Sequence, residues 1–275
     1  MQPTAEVAAV VHEFRGMPVR LLFSTPLGLS SARNAALSAA EAEYVAFLDD
    51  DAVVEVGWLA AVLDGCRQYA PEICGGPSYP LFRQPRPPWY DEVNGSYALY
   101  GSAVRRLRPN EWLGGMNFVV RRSTAIELGG FRTDLGMAGH KVAYGEETAL
   151  MRDLWAHDPS ARICYLPGAA VRHEVRPEKM TVAWNAHSAL AGGRDGAAMG
   201  LLDTSLLVAI RFLLASGGRL AIEAIIIGAI ALSRGLIDGG VAWRRRFMRV
   251  GKNQLYWTAY WWAAVRARVM PSERG

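Results

Sequence analysis

The chain has 275 residues, 51% of them hydrophobic, and a formal net charge of +4. That length allows one sizeable core, so an α/β domain with an appendage is the expectation. The charge is uneven: residues 234–275 carry nine Lys or Arg against Asp238 and Glu273, a net +7 that leaves −3 on the rest. A nucleic-acid binder would spread positive charge over its folded domain. Here it gathers beside Trp243, Trp257, Tyr260, Trp261 and Trp262, which points to a membrane surface and away from nucleic acid. Cys66, Cys74 and Cys164 have an odd count and no metal-ligand spacing, as expected of reduced thiols in a cytoplasmic setting.

In chain order, MQPTAEVAAVVHEFRG lacks the basic start of a signal peptide and puts Val7, Val10, Val11 and Phe14 on one face of a helix ending at Gly16. VRLLFS (19–24) reads as a short buried strand, SSARNAALSAAEA (30–42) as a helix capped by Ser30 or Ser31, and YVAFL (44–48) as a second buried strand. This alternation is the rhythm of a parallel sheet whose strands are apolar on both faces. A helix follows over 57–70, then an irregular Pro- and Gly-rich excursion over 74–92, a strand and helix over 117–131, and a helix over 147–158. Residues 201–240 are strongly apolar, yet Arg211, Arg219 and Glu223 interrupt them. No uncharged run there reaches the roughly 20 residues of a membrane span, so interfacial helices or a hairpin dipping into one leaflet are expected. The alternative is a helical pair packed on the α/β domain or on a second subunit of an oligomer.

Asp49, Asp50 and Asp51 directly follow the apolar YVAFL. Three adjacent carboxylates repel one another, so a cationic partner is expected. Alternation out of a strand turns Asp49 and Asp51 to one side and Asp50 to the other. Carboxyl ends of strands form the ligand crevice of open α/β sheets, and hard oxygen ligands suit Mg²⁺ or Mn²⁺ with phosphate oxygens completing the shell. Helix capping and solvation would explain one Asp more readily than three.

Five segments then resemble the family-2 glycosyltransferases, inverting enzymes with the GT-A fold. They are GLSSARNAAL (28–37), EYVAFLDDD (43–51), WLGGMNFVVRRSTAIELGGF (112–131), YGEETALMRDL (144–154) and LPGAAVRHEV (166–175). The resemblance implies a GT-A-like three-layer sandwich with a mainly parallel central sheet over residues 1–195. A helical, amphipathic, membrane-associated region would follow over 196–275. It also implies that Asp51, Asp49 and His173 hold Mn²⁺ or Mg²⁺, and that Arg33, Asp49 and Asp50 approach the nucleotide or its ribose. Glu147 stands where the family's catalytic Asp is usual, and either it or neighbouring Glu146 would be the base. The family's first βαβ unit has no counterpart here, which removes one wall of the nucleotide pocket and leaves sheet edge and apolar helix surface uncovered.

The function implied is transfer of a sugar from a nucleotide-diphosphate donor to a hydroxyl of a glycan or lipid-linked acceptor. Its setting would be surface polysaccharide or glycolipid synthesis at the inner face of the plasma membrane. The alternatives are an inactive membrane-associated scaffold of the same fold, and a metal-dependent phosphohydrolase using the same carboxylates.

Overall fold

A computed structural model describes residues 5–14, 16–97, 100–139, 141–199 and 204–270. Its regular elements begin with α1 (Ala5–Glu13), α2 (Leu29–Ala39), β1 (Tyr44–Leu48), β2 (Ala52–Val54) and α3 (Trp58–Tyr69). Next come β3 (Ile73–Gly75), β4 (Ser78–Leu81), β5 (Arg105–Arg106), β6 (Asn117–Arg121) and α4 (Arg122–Glu127). Then follow α5 (Glu146–His157), β7 (Ile163–Tyr165), β8 (Val171–Glu174), α6 (Val182–Ala198), α7 (Leu206–Asp238), α8 (Val241–Arg246) and α9 (Lys252–Val269).

Five strands form the central sheet in the order β1-β6-β3-β7-β5. The period-two alternation of β6 builds its two cores. Phe118 and Val120 meet Leu37, Leu150, Met151 and Leu154 from α2 and α5 on one face. Val119 and Cys74 meet Trp58 and Val62 of α3 on the other. The three layers are therefore helix, sheet and helix. The sheet is mixed rather than mainly parallel: β3–β7 is parallel, while β1–β6, β3–β6 and β5–β7 are antiparallel. A second sheet, β2-β8-β4, sits at the site end, and its strand β4, with the end of β3 in the central sheet, turns part of the expected 74–92 excursion into strand.

The expected strand over 19–24 does not form. Val19, Leu21, Leu22 and Phe23 lie exposed. A strand needs a hydrogen-bonding neighbour as well as an apolar sequence, and among the described residues β1 pairs with β6 alone. This open edge also explains why β1 is half-buried, with Phe47 inside and Leu48 exposed. The apolar face of α1 is uncovered too, Val7, Val10 and Phe14 all being exposed. Neither Ser30 nor Ser31 caps α2, whose N-cap is Gly28; the Ser30 hydroxyl instead donates to the Leu135 carbonyl at 2.9 Å.

The C-terminal region differs most from expectation. Instead of interfacial pieces or a hairpin, residues 206–238 form one helix of 33 residues, about 50 Å long. Its stretch Leu206–Arg234, with a hydropathy of 1.7, is long and apolar enough to cross a membrane. The interrupting charges do not break it because side-chain charge leaves the backbone ladder intact, and Glu223 is neutralised by Arg246, Nη2 to Oε2 2.7 Å. Residues 201–203 of the expected segment lie outside the described residues. Gly239, in the left-handed region at φ 61°, ends α7, and Asp238 accepts from the amides of Gly240 and Ala242 to start α8. The expected boundary after residue 195 falls within α6, which packs on α9 so closely that a Cβ at Gly193 would lie 2.2 Å from the Tyr256 carbonyl oxygen. Trp89 and Tyr90, from the Pro-rich segment, pack with Val175, Met180, Phe247 and Met248 and tie the helices to the sheet.

Candidate active site

The Asp triplet sits on the turn joining the two sheets. β1 ends at Leu48, and the Ala52 amide donates to the Asp49 carbonyl at 3.0 Å, closing a tight turn. This turn points Asp49 and Asp51 inward and leaves the Asp50 side chain 94% exposed. β2 then pairs antiparallel with β8 so that Ala52 faces His173, and the Glu174 amide donates to the Asp51 carbonyl at 2.9 Å. Two strands far apart in sequence thereby fix the imidazole against the carboxylates. His173 Nε2 lies 2.8 Å from Asp51 Oδ1 and 4.0 Å from Asp49 Oδ2.

One donor atom from each of Asp49, Asp51 and His173 lies within 4.8 Å of the others. Two carboxylates and an imidazole suit Mn²⁺ or Mg²⁺, so the group fits a divalent cation. Burial alone would raise the Asp51 pKa, but His173, Lys179 and Arg176 together hold it below its ordinary value.

Arg33 lies at the centre of the site and is 5% exposed. It was expected to approach the nucleotide. Its Nη1 donates to Glu146 at 2.8 Å, and its Nη2 donates to the Gly115 carbonyl at 3.1 Å and Asp49 at 3.4 Å. The rings of Phe47 and Phe131 lie 5.8 and 5.4 Å from its guanidinium carbon. A planar guanidinium can serve three acceptors at once while stacking on aromatic faces. Gly115 permits this, since a Cβ there would stand 2.8 Å from Arg33 Nη2 and 3.3 Å from the Glu147 carboxyl carbon.

The acid pair opens α5, which begins after Gly145 in the left-handed region at φ 97°. Glu146 is buried and occupied by Arg33. Glu147 has no such ion pair among the described contacts. Burial pushes its pKa up to about 7, the charge on Glu146 pushes the same way, and Arg33 opposes both.

Arg176 and Lys179, which sequence reasoning passed over, complete the site. Arg176 Nη2 lies 3.3 Å and Lys179 Nζ 3.5 Å from Asp51 Oδ2. The only signal was their spacing after His173, in HEVRPEK, three and six residues on. Asn117 supports the floor: its amide donates to the Ala169 carbonyl at 2.7 Å, and it accepts from the Trp58 indole at 3.0 Å.

Residues 2–126 match the family model described as glycosyl transferase family 2. That match covers somewhat under half of the chain. The family-2 match takes in Arg33, the Asp triplet and the whole of β6, while α5 and β8 lie beyond it. The chain is 28% identical over 167 residues to the succinoglycan biosynthesis protein ExoM of Rhizobium meliloti, covering 60% of this chain and 51% of that protein. It is 23% identical over 163 residues to the glucosyl-dolichyl phosphate glucuronosyltransferase of Haloferax volcanii, covering 57% and 51%. It thus spans about half the length of these curated relatives. In fold it is similar to the mannosyltransferase PcManGT of Pyrobaculum calidifontis, solved with GDP-Man and Mn²⁺, at a TM-score of 0.56 and 19% identity. That likeness covers 99% of this chain and 76% of that one, and it shows the GT-A fold.

Proposed function

We propose that the chain moves a sugar from a nucleotide-diphosphate donor to a hydroxyl acceptor with inversion, using Mn²⁺ or Mg²⁺ held by Asp49, Asp51 and His173. The observation that carries this reading is the Arg33 bridge from Asp49 to Glu146, which makes the cation-binding group and the acid pair one continuous site. Of the two glutamates, Glu147 is the base, because Glu146 is engaged by Arg33 and Glu147 has a pKa near neutrality. The Glu147 carboxylate takes the acceptor hydroxyl proton as that oxygen attacks the anomeric carbon from the face opposite the leaving group. The carbon–oxygen bond to the diphosphate breaks, and its electron pair leaves on the phosphate oxygen. A bound divalent cation supplies Lewis-acid charge for that departure. No protein nucleophile is required, and the anomeric configuration inverts.

The C-terminal helices hold the protein at the inner face of the plasma membrane, peripherally or monotopically, beside a glycan or lipid-linked acceptor. Leu207, Leu214, Ile222, Ile225 and Leu232 support this: all are exposed along α7, an apolar stripe that water does not favour. The names of the two curated relatives suit surface polysaccharide or glycolipid synthesis. The exposed Val19, Leu22 and Phe23, together with a β1 that pairs only with β6 among the described residues, favour a second reading, an inactive scaffold.

Incubation with a panel of UDP- and GDP-sugars, Mn²⁺ and lipid-linked acceptors, followed by nuclear magnetic resonance of the product, tests the proposal. A glycoside of opposite anomeric configuration to the donor is expected. Retention would overturn the mechanism, phosphate release without sugar transfer would mark a hydrolase, and failure to bind any nucleotide would mark the scaffold.

A further inference from the structure

We propose that Asp195 of α6 is a positioning residue for the transfer reaction: by holding Tyr144 it fixes the start of α5 and so the placement of the Glu147 carboxylate. The proposal rests on the glycosyltransferase reading above, with Glu147 as the base, and gives a task to a buried carboxylate which that reading leaves unused.

The first argument is where the grip falls. Tyr144 and Gly145 immediately precede Glu146 and Glu147, and Gly145 takes the left-handed conformation from which α5 starts. The Tyr144 amide donates to Asp195 Oδ2 at 2.9 Å, and the Tyr144 hydroxyl shares a hydrogen bond with Ser188 Oγ at 3.0 Å. Arg194 Nη2 donates to the Val142 carbonyl at 3.0 Å. Met199, at the end of α6, packs so closely on Gly145 that a Cβ there would stand 2.6 Å from its sulfur. Arg152, further along α5, donates to the Met199 carbonyl. The segment that leads into the acid pair is thus held on α6 by backbone and side chain together.

The second argument is how the grip is built. Ser188, Gly192 and Asp195 stand at i, i+4 and i+7 and share one face of α6. Gly192 lets the Tyr144 ring lie against that face, since a Cβ there would be 4.0 Å from Tyr144 Cδ2. Asp195 is only 5% exposed, and a buried carboxylate stays charged only with partners. It has them in the Tyr144 amide and in Arg194, which donates from Nε to Oδ1 at 2.7 Å and from Nη2 to Oδ2 at 3.1 Å. An apolar side chain would pack α6 without that desolvation. The carboxylate adds direction, because a charge-assisted bond aims the Tyr144 amide at one place. Base and attacking hydroxyl must be aligned closely, and a misplacement of about 1 Å can slow a reaction about 10²-fold. The close packing of α6 on α9 at Gly193 carries this placement back to the helices proposed to meet the membrane.

The test is steady-state transfer by the whole chain with Mn²⁺, the panel of UDP- and GDP-sugars and lipid-linked acceptors, with active sites counted by calorimetric titration with UDP or GDP. Asp195→Ala should lower kcat per nucleotide-binding site by about 10–100-fold while the donor KM stays within about twofold of wild type. Asp195→Asn keeps an oxygen for the Tyr144 amide and should restore kcat to within about threefold of wild type. Tyr144→Phe removes only the Ser188 contact and keeps the buried charge paired, so it tests the same grip even if Asp195→Ala fails to fold. It should show the same loss in kcat alone, at about threefold. A loss that merely tracks the number of binding sites is a folding defect and overturns the proposal. A raised donor KM with unchanged kcat, or wild-type kcat in Asp195→Ala, overturns it too, and each of these leaves the glycosyltransferase reading standing. If the wild type transfers no sugar, the glycosyltransferase reading falls; if Glu147→Gln is as fast as wild type, its choice of base falls. Either result takes this proposal with it.

Discussion

At the scale of single residues, Arg33 and Glu147 do different work with the same local charge. Arg33 leaves Glu146 compensated in a site where an unpaired buried carboxylate would be costly. Arg33→Met should therefore destabilise the fold by about 3–5 kcal/mol and lower the melting temperature by roughly 10 °C, measured by calorimetry. Glu147, raised to about 7 by burial, must lose its proton to act as a base. Transfer activity should rise as pH rises through about 7, and Glu147→Gln should abolish that limb while lowering kcat by about 10²–10⁴-fold with little loss of donor affinity. The sign for stability is opposite. The folded state holds a proton that the unfolded chain releases near 4.5, so this group's contribution falls as pH climbs from 4.5 toward 7.

Among elements, α7 is the one whose sequence and packing disagree most with an aqueous setting. Leu214 and Ile225 are 71% and 73% exposed on it. Replacing both with Glu should leave the melting temperature unchanged, because neither packs inside the protein, yet should sharply reduce co-flotation with vesicles containing anionic lipid. Unchanged flotation would instead point to a second subunit on this face. The same helix shows where sequence reading fails. Gly217, Gly218 and three charges divide its apolar runs, and without Arg246 in view Glu223 reads as an interruption when it is a neutralised interior contact. The strand expected over 19–24 fails for a related reason: an apolar run states what a segment can bury, and only a neighbour with free amides decides whether it pairs. By contrast, β1, β6, α3 and α5 were legible because each buries an alternating or helical face in the core formed by the chain itself.

For the whole molecule, the site arises where two sheets meet, and its legibility follows from that. Asp49, Asp51 and His173 were readable because each sits at the end of a recognisable apolar strand or motif. The Arg33 bridge, its pairing with Glu146 rather than Glu147, and the approach of Arg176 and Lys179 to Asp51 were not, because they depend on contacts between residues up to 128 positions apart. The measurement that bears most directly on the central claim is a paramagnetic resonance titration of Mn²⁺ into the full chain in the presence of a nucleoside diphosphate. One bound ion per chain is expected, lost in Asp51→Asn and in His173→Ala while both variants keep the wild-type circular dichroism spectrum. Equal Mn²⁺ uptake by wild type and both variants would contradict a cation held between the Asp turn and β8.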